Sequence, residues 1–373
     1  MRNALFLLLL ALTTAPPRFV KHFVAAESYE SAGVFDVDGN GTPDIVSGDF
    51  WYENDGSKRP SFRQRHLIGN QRRVDQYYDD FSTIPFDVNG DGRTDVITGG
   101  WWGGKLRWLE NVPERGTASG EWPIHPLSDV GNIETTRAWD VNGDGVPEIC
   151  PNNPGQPLKY LTYQPAQKTF RVVDVHPKQG HGLGFGDING DGRGDFVVSD
   201  GWLEAGGPKD APTWTLHPEF SLGTASVPIL VADVNGDKLA DLIVGQGHGY
   251  GLHWYEQRTR NGRTWQKHTI DSTASQYHVM EWADLTGDGK PELITGKRFR
   301  AHNDKDPGSD DPVGLYYFTF NGKTFDRHVI SYGPAGEGKG TGIQFALADL
   351  RKTGRLDIVV AGKDGLYVFY NEP

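Results

Sequence analysis

The chain has 373 residues, a formal charge of −12 at pH 7, one cysteine, 49 glycines and 11 tryptophans. Acidity of this size argues against a nucleic acid partner, which favours basic faces, and one cysteine excludes an internal disulfide framework. Length alone suggests two or three domains, but an internal period overrides that division.

Residues 1–15 (MRNALFLLLLALTTA) carry one arginine, an apolar run from Ala4 to Leu12, then small residues. This is the pattern of a secretory signal peptide, too short to span a bilayer. It predicts a secreted or periplasmic bacterial protein with no membrane span, its remainder (16–373) forming a single domain. RFVKHFV (Arg18–Val24) follows and reads as a strand carrying an aromatic and a histidine, Phe19 and His22. The lone Cys150 sits in an apolar strand pattern and is expected in the core.

From Asp36 onward one unit recurs seven times, a nine-residue acidic loop leading into an aliphatic strand. The loops are DVDGNGTPD (Asp36–Asp44), DVNGDGRTD (Asp87–Asp95), DVNGDGVPE (Asp140–Glu148), DINGDGRGD (Asp187–Asp195), DVNGDKLAD (Asp233–Asp241), DLTGDGKPE (Asp284–Glu292) and DLRKTGRLD (Asp349–Asp357). Their opening aspartates lie 51, 53, 47, 46, 51 and 65 residues apart, which is the spacing of blades rather than domains. Oxygen side chains at positions 1, 3, 5 and 9 can close around one calcium ion, and glycine at position 6 permits the left-handed turn. The expected ligands are Asp36, Asp38, Asn40 and Asp44; Asp87, Asn89, Asp91 and Asp95; Asp140, Asn142, Asp144 and Glu148. They continue with Asp187, Asn189, Asp191 and Asp195; Asp233, Asn235, Asp237 and Asp241; Asp284, Thr286, Asp288 and Glu292. In the fifth loop Lys238 stands where glycine belongs. In the seventh, Arg351 and Thr353 replace ligands, and the Arg351 guanidinium is expected to take the place of a cation. The six intact loops hold eighteen carboxylates, so six divalent ions would bring the formal charge to zero.

Each unit carries four strand patterns, A to D. Strand A precedes the loop and strand B follows it; strand C has an aromatic-acidic tail, as in WYEN (Trp51–Asn54) and RWLEN (Arg107–Asn111). Strand D pairs an aromatic with a histidine, as in Phe62/His66 and Trp265/His268. The chain ends in a strand C, GLYVFYNEP, so Arg18–Val24 is expected to supply the missing strand D and close a ring. The prediction is an all-β, seven-bladed β-propeller of four-stranded blades, with calcium loops between strands A and B.

The loops and flanks, GFGDINGDGRGDFVV (Gly184–Val198) most fully, resemble the FG-GAP/VCBS repeat family across essentially the whole chain beyond residue 15. The resemblance implies the propeller and calcium, and the family includes both adhesion modules and enzymes. The segments His181–Gly201 and His278–Gly314 look similar to the propeller of aldos-2-ulose dehydratase and its bacterial relatives. Ulvan and rhamnogalacturonan lyases also use calcium-loop propellers.

Of twelve histidines, seven (His22, His66, His125, His176, His217, His268, His328) belong to strand D, where a blade-to-blade hydrogen bond is expected. His181, His248, His253, His278 and His302 are not required by the repeat, and all lie in repeats four to six. His181 and His278 each stand six residues before a loop aspartate, while His248, Lys297, Arg298 and His302 follow strand B. D–A and B–C connections share the face opposite the acidic loops, so these residues are expected around the channel mouth. There His181 or His278 would act as general base, Lys297 or Arg298 would stabilise enolate-like charge, and Tyr277 would protonate a leaving oxygen. Alternatively His181, His248, His278 and His302 would bind zinc or another divalent metal. Trp102, Arg137, Trp202, His248 and Gln344 are the expected carbohydrate-binding residues. The functional expectation is a carbon–oxygen lyase, a sugar dehydratase or polysaccharide lyase working by proton abstraction and β-elimination. The other reading is a non-catalytic, calcium-dependent glycan- or protein-binding module.

Overall fold

The computed structural model describes residues 16–112, 120–209, 211–259 and 262–372; the signal-peptide expectation for 1–15 lies outside the described residues. Seven four-stranded antiparallel sheets make up the propeller, and the only helix among the described residues is a single 3-10 turn, Ala301–Asp304.

The acidic loop dictates each blade's start. In blade 2, Asp87 Oδ1 accepts the N–H groups of Gly90 and Asp91, and its Oδ2 accepts that of Gly92, where φ is 86°. At position 9, Asp95 accepts Val88 N–H at 2.9 Å with one oxygen and Asn111 N–H at 2.8 Å with the other. That carboxylate therefore fastens the loop to strand C. Asp44, Asp195 and Asp241 repeat the arrangement. The aliphatic strand B that follows is wholly buried in every blade.

Adjacent blades are tied by the end of strand C. Asn54 Nδ2 donates to Leu350 O (3.0 Å), Asn111 to Val37 O (2.8 Å), and Asn371 to Leu285 O (2.8 Å). Gln257 reaches Ile188 O at 3.2 Å, and Tyr163 Oη reaches Val88 O at 2.9 Å. In all five cases the acceptor is position 2 of the preceding blade's acidic loop. The strand D histidines, expected to link blades, mostly serve their own blade instead. His125, His217 and His268 bond to Glu110, Glu204 and Glu256 of their own strand C, and stack on Trp108, Trp202 and Trp254. Their register opposite strand C puts that tryptophan directly beneath each ring. His22 is the one that reaches across, to Ser61 O at 3.2 Å.

The seventh sheet has the order Arg18–Ala25, Leu366–Glu372, Asp357–Val360, Phe345–Ala348, with Arg18 opposite Glu372. Its outer strand thus comes from the other end of the chain, which covers an edge that would otherwise invite pairing with another molecule. A chain beginning at Ala26 is expected to lose the soluble monomer, read by size-exclusion chromatography; a monomeric truncation with an unchanged melting temperature would contradict this role.

Candidate functional site

The start of strand A approaches the propeller axis once per blade. Six residues before each loop aspartate stand Glu30, Phe81, Glu134, His181, Val227, His278 and Ile343, all on the face opposite the acidic loops. His248, Arg298 and His302 join them from B–C connections.

Four side chains converge there. Their ligand atoms, one each from Glu134, His181, His248 and His278, lie within 4.8 Å of one another. Glu134 Oε1 is 2.8 Å from His278 Nε2 and 3.4 Å from His181 Nε2, and the Nε2 atoms of His181 and His248 are 2.7 Å apart. The outer nitrogens fix the tautomers. His181 Nδ1 lies 2.7 Å from Ala225 O, which can only accept, and His248 Nδ1 lies 3.2 Å from the Asp306 carboxylate. With both Nδ1 atoms protonated and both rings neutral, two Nε2 lone pairs face each other. A proton would relieve that one contact. A divalent ion would relieve it and, with the His278 proton shifted from Nε2 to the buried and unpartnered Nδ1, also employ His278 Nε2 and Glu134 Oε1; Ala225 O and Asp306 are the outer partners that orient the His181 and His248 imidazoles. The donor set, three imidazoles and one carboxylate, suits zinc or a similar ion.

Electrostatics favour neutral His248 and His278 rings and an ionised Glu134. Burial pushes His278 down to about 3, with Arg298 adding to the effect against Glu134. Burial and then His181 push His248 down to about 4. Burial alone would raise Glu134, but His181 and His278 hold it well below the usual carboxylate range.

His302 is not part of this quartet. Its ring stacks on His248 at 4.3 Å and its Nδ1 sits 3.0 Å from Asp306 Oδ1, leaving Nε2 unused. The turn carrying it holds Arg300, His302, Asn303 and Asp304 at φ between 49° and 61°, a left-handed conformation costing side-chain-bearing residues about 1–2 kcal/mol each. Contacts to other blades hold the turn in place: His302 N–H to Tyr77 Oη (2.5 Å), Gln76 to Asn303 (2.7 Å) and Lys363 Nζ to Arg300 O (2.9 Å). Beside it opens a cavity of about 200 Å³ lined by Tyr77, Phe81, Trp101, Trp102, Glu134, Arg298 and His302.

Trp102 and Arg298 therefore reach the site, and other expected residues do not. Tyr277 is fully buried, its hydroxyl donating to Asp271 at 2.8 Å, and burial raises its pKa far above the ordinary phenol value; it cannot serve as an acid at the mouth. Trp202 lies in the blade core, stacked on His217. Gln344 is a clip to the Thr83 backbone, with bonds of 2.9 and 3.1 Å. Arg137 spans to Glu281 at 2.9 Å and Val227 O at 3.1 Å. Lys297 is buried behind the site, donating to Gln276 Oε1 at 2.9 Å. Glu134 went unassigned as a ligand at the sequence level, although it shares the six-residue offset of His181 and His278. Tyr277→Phe is expected to cost about 1–2 kcal/mol of stability by removing a buried hydrogen bond, without changing metal content. A loss of bound metal on this substitution would return Tyr277 to the site.

Among comparisons with known proteins, a family model for the FG-GAP-like repeat matches residues 87–150 and 212–295. No curated protein matches the chain in sequence. Among solved structures, BBS1N, determined in complex with ARL6DN, is 12% identical with a TM-score of 0.55, covering 95% of this chain and 97% of that one. The exo-type rhamnogalacturonan lyase YesX is 13% identical with a TM-score of 0.50, covering 96% and 75%. An Agrocybe aegerita lectin that recognises non-reducing terminal N-acetylglucosamine is 16% identical with a TM-score of 0.47, covering 93% and 91%. At these identities the likeness is one of fold. The chain carries FG-GAP-like repeats and folds as a seven-bladed β-propeller.

Proposed function

We propose that this protein is a secreted, calcium-stabilised propeller acting on carbohydrate as a lyase or dehydratase, with one divalent transition metal held by Glu134, His181, His248 and His278. The observation that carries the reading is the meeting of three imidazole Nε2 atoms and one carboxylate oxygen beside an aromatic cavity. The rhamnogalacturonan lyase YesX supports it only in showing that elimination chemistry is found on this fold.

Bound there, a divalent ion would act as a Lewis acid on a carbonyl or carboxyl oxygen of the substrate. The chain's own residues divide the remaining work. His181 and His278 are committed to the convergent quartet, so His302 Nε2 is the imidazole nitrogen left to take the proton from the carbon next to that carbonyl. As the C–H bond breaks, a carbon–carbon double bond forms and the β C–O bond breaks, its oxygen leaving with the proton that His302 has taken. Arg298 stabilises the negative charge that develops on the substrate, and Trp102 supplies a face for the ring.

The acidic loops are proposed to hold calcium in repeats one to six. Among the described residues no lysine or arginine pairs with the position-9 acids Asp44, Asp95, Glu148, Asp195, Asp241 or Glu292. In repeat seven Arg351 lies against the equivalent Asp357, with contacts of 2.9 and 3.2 Å. That guanidinium is the chain's own stand-in for a cation. Burial, increased by Asp38 and Asp36, pushes Asp44 up to about 7, and burial takes Asp241 to about 7 as well. Desolvated carboxylates beside other carboxylates are what a bound cation would relieve.

Elemental analysis of purified protein is expected to find about six calcium ions and one transition-metal ion per chain. His181→Ala and Glu134→Gln should each remove only the latter and abolish turnover of keto-sugar or uronic-acid substrates, a loss of a hundredfold or more. A protein that retains glycans on an affinity gel without turning any over would establish the binding-module reading instead.

Chelation should lower the melting temperature, since each ion at a thousand times its dissociation constant contributes about 4 kcal/mol. In excess chelator the pH dependence follows from the raised carboxyl values. The folded state holds protons on Asp44 and Asp241 that the unfolded chain has released, so stability falls as pH rises from about 4 through 7. The chelated protein should melt higher at pH 5 than at pH 8, and added calcium should remove that difference. Equal melts with and without chelator would exclude structural calcium.

A further inference from the structure

The cavity beside the imidazole quartet has two unlike sides. One is a wall of rings: Trp102 packs against Tyr77 at 5.3 Å and against Phe81 at 5.8 Å, and Trp101 forms the exposed rim. A space of about 200 Å³ is below the roughly 300–1,000 Å³ of most ligand pockets, which limits the occupant to about one ring. The other side is the Arg298 guanidinium, 1% exposed. Glu30 occupies its Nε and Nη2 at 2.9 and 3.3 Å, but Nη1 has no hydrogen-bond partner, and its nearest carboxylate contact is Glu134 Oε1 at 3.7 Å. Leaving charged N–H groups buried and unpaired is costly.

With a divalent ion in the quartet, the charge around this nitrogen would be unbalanced as well. Glu30 also takes Lys363 Nζ at 3.0 Å, and Lys363 lies over the Tyr77 ring, 3.7 Å from its centroid. One carboxylate thus serves two cations. The charge of Glu134 is directed to His278 and His181, and with a divalent ion in the quartet it would be more than neutralised. One further negative charge at Arg298 Nη1 would complete the set.

We infer that this cavity is a subsite for a single uronate ring, its carboxylate bonded by Arg298 Nη1 and its apolar face laid against Trp102. The inference rests on the carbohydrate reading above and narrows its substrate class from keto-sugars or uronic acids to uronic acids. A neutral sugar offers Nη1 only a hydroxyl, whereas a carboxylate forms a charge-assisted bond to guanidinium.

Calorimetric titration of the whole, metal-replete protein with methyl galactosiduronate and with methyl galactoside tests it. The uronate is expected to bind at least about tenfold more tightly. Arg298→Lys should abolish that preference, and Trp102→Leu should weaken both sugars together while metal content stays unchanged. Equal affinities, binding of neither sugar, or a preference that survives Arg298→Lys in folded protein would each overturn the subsite. Should the Arg298 variant not fold, the wild-type comparison and Trp102→Leu decide: weaker binding of both sugars supports the subsite, and unchanged binding overturns it. Elemental analysis on the same samples separates the two readings. Metal-free protein that still prefers the uronate defeats the metal centre and leaves the subsite standing; metal-bound protein without the preference defeats the subsite alone.

Discussion

The buried carboxylate at the end of each acidic loop is the constraint on which the propeller turns. In blades 1, 2, 4 and 5 it accepts backbone N–H groups from its own loop and from strand C, and in blades 1, 2 and 5 the end of strand C then reaches the loop of the blade before it. A carboxylate placed there is desolvated and close to other carboxylates, which either a proton or a neighbouring positive charge relieves. Blade 7 carries that charge in its own sequence as Arg351. In the other six no arginine among the described residues takes that position, and on the proposed reading calcium fills the same role.

That opposite face takes its order from the repeat and its chemistry from departures from it. Each blade delivers one residue to the axis at the same offset, yet the seven residues delivered range from Ile343 and Val227 to Glu134, His181 and His278. The symmetric scaffold fixes where these side chains meet. The B–C connections of blades 5 and 6 then add His248, Arg298 and His302, the last on a turn in left-handed conformation held by contacts to other blades. Strain of this kind persists only where surrounding contacts over-determine the backbone.

The blades were legible because two periods reinforce each other: the nine-residue loop fixes each turn, and the alternating strands fix how many sheets it serves. The leftover histidines were legible by subtraction, since nothing in a blade requires His181 or His278. What could not be read was the direction of side chains. Tyr277 neighbours His278 in sequence on the segment between Ser275 and Met280, which is not strand, yet its hydroxyl turns into the blade toward Asp271. Trp202 similarly belongs to strand C packing rather than to a connection, because His217 stacks on it. Nor does the sequence reveal which atoms meet across the axis. Glu134 and His278 are 144 residues apart yet share a 2.8 Å contact.

The convergent quartet is most directly tested by X-ray absorption at the edge of whatever transition metal the purified protein carries. Glu134, His181, His248 and His278 predict a first shell of three imidazole nitrogens and one carboxylate oxygen at about 2.0–2.2 Å, reduced by one imidazole in His248→Ala. A shell of oxygens alone, an unchanged spectrum in that variant, or protein that binds no transition metal when supplied with it would contradict a metal centre at the mouth of this propeller.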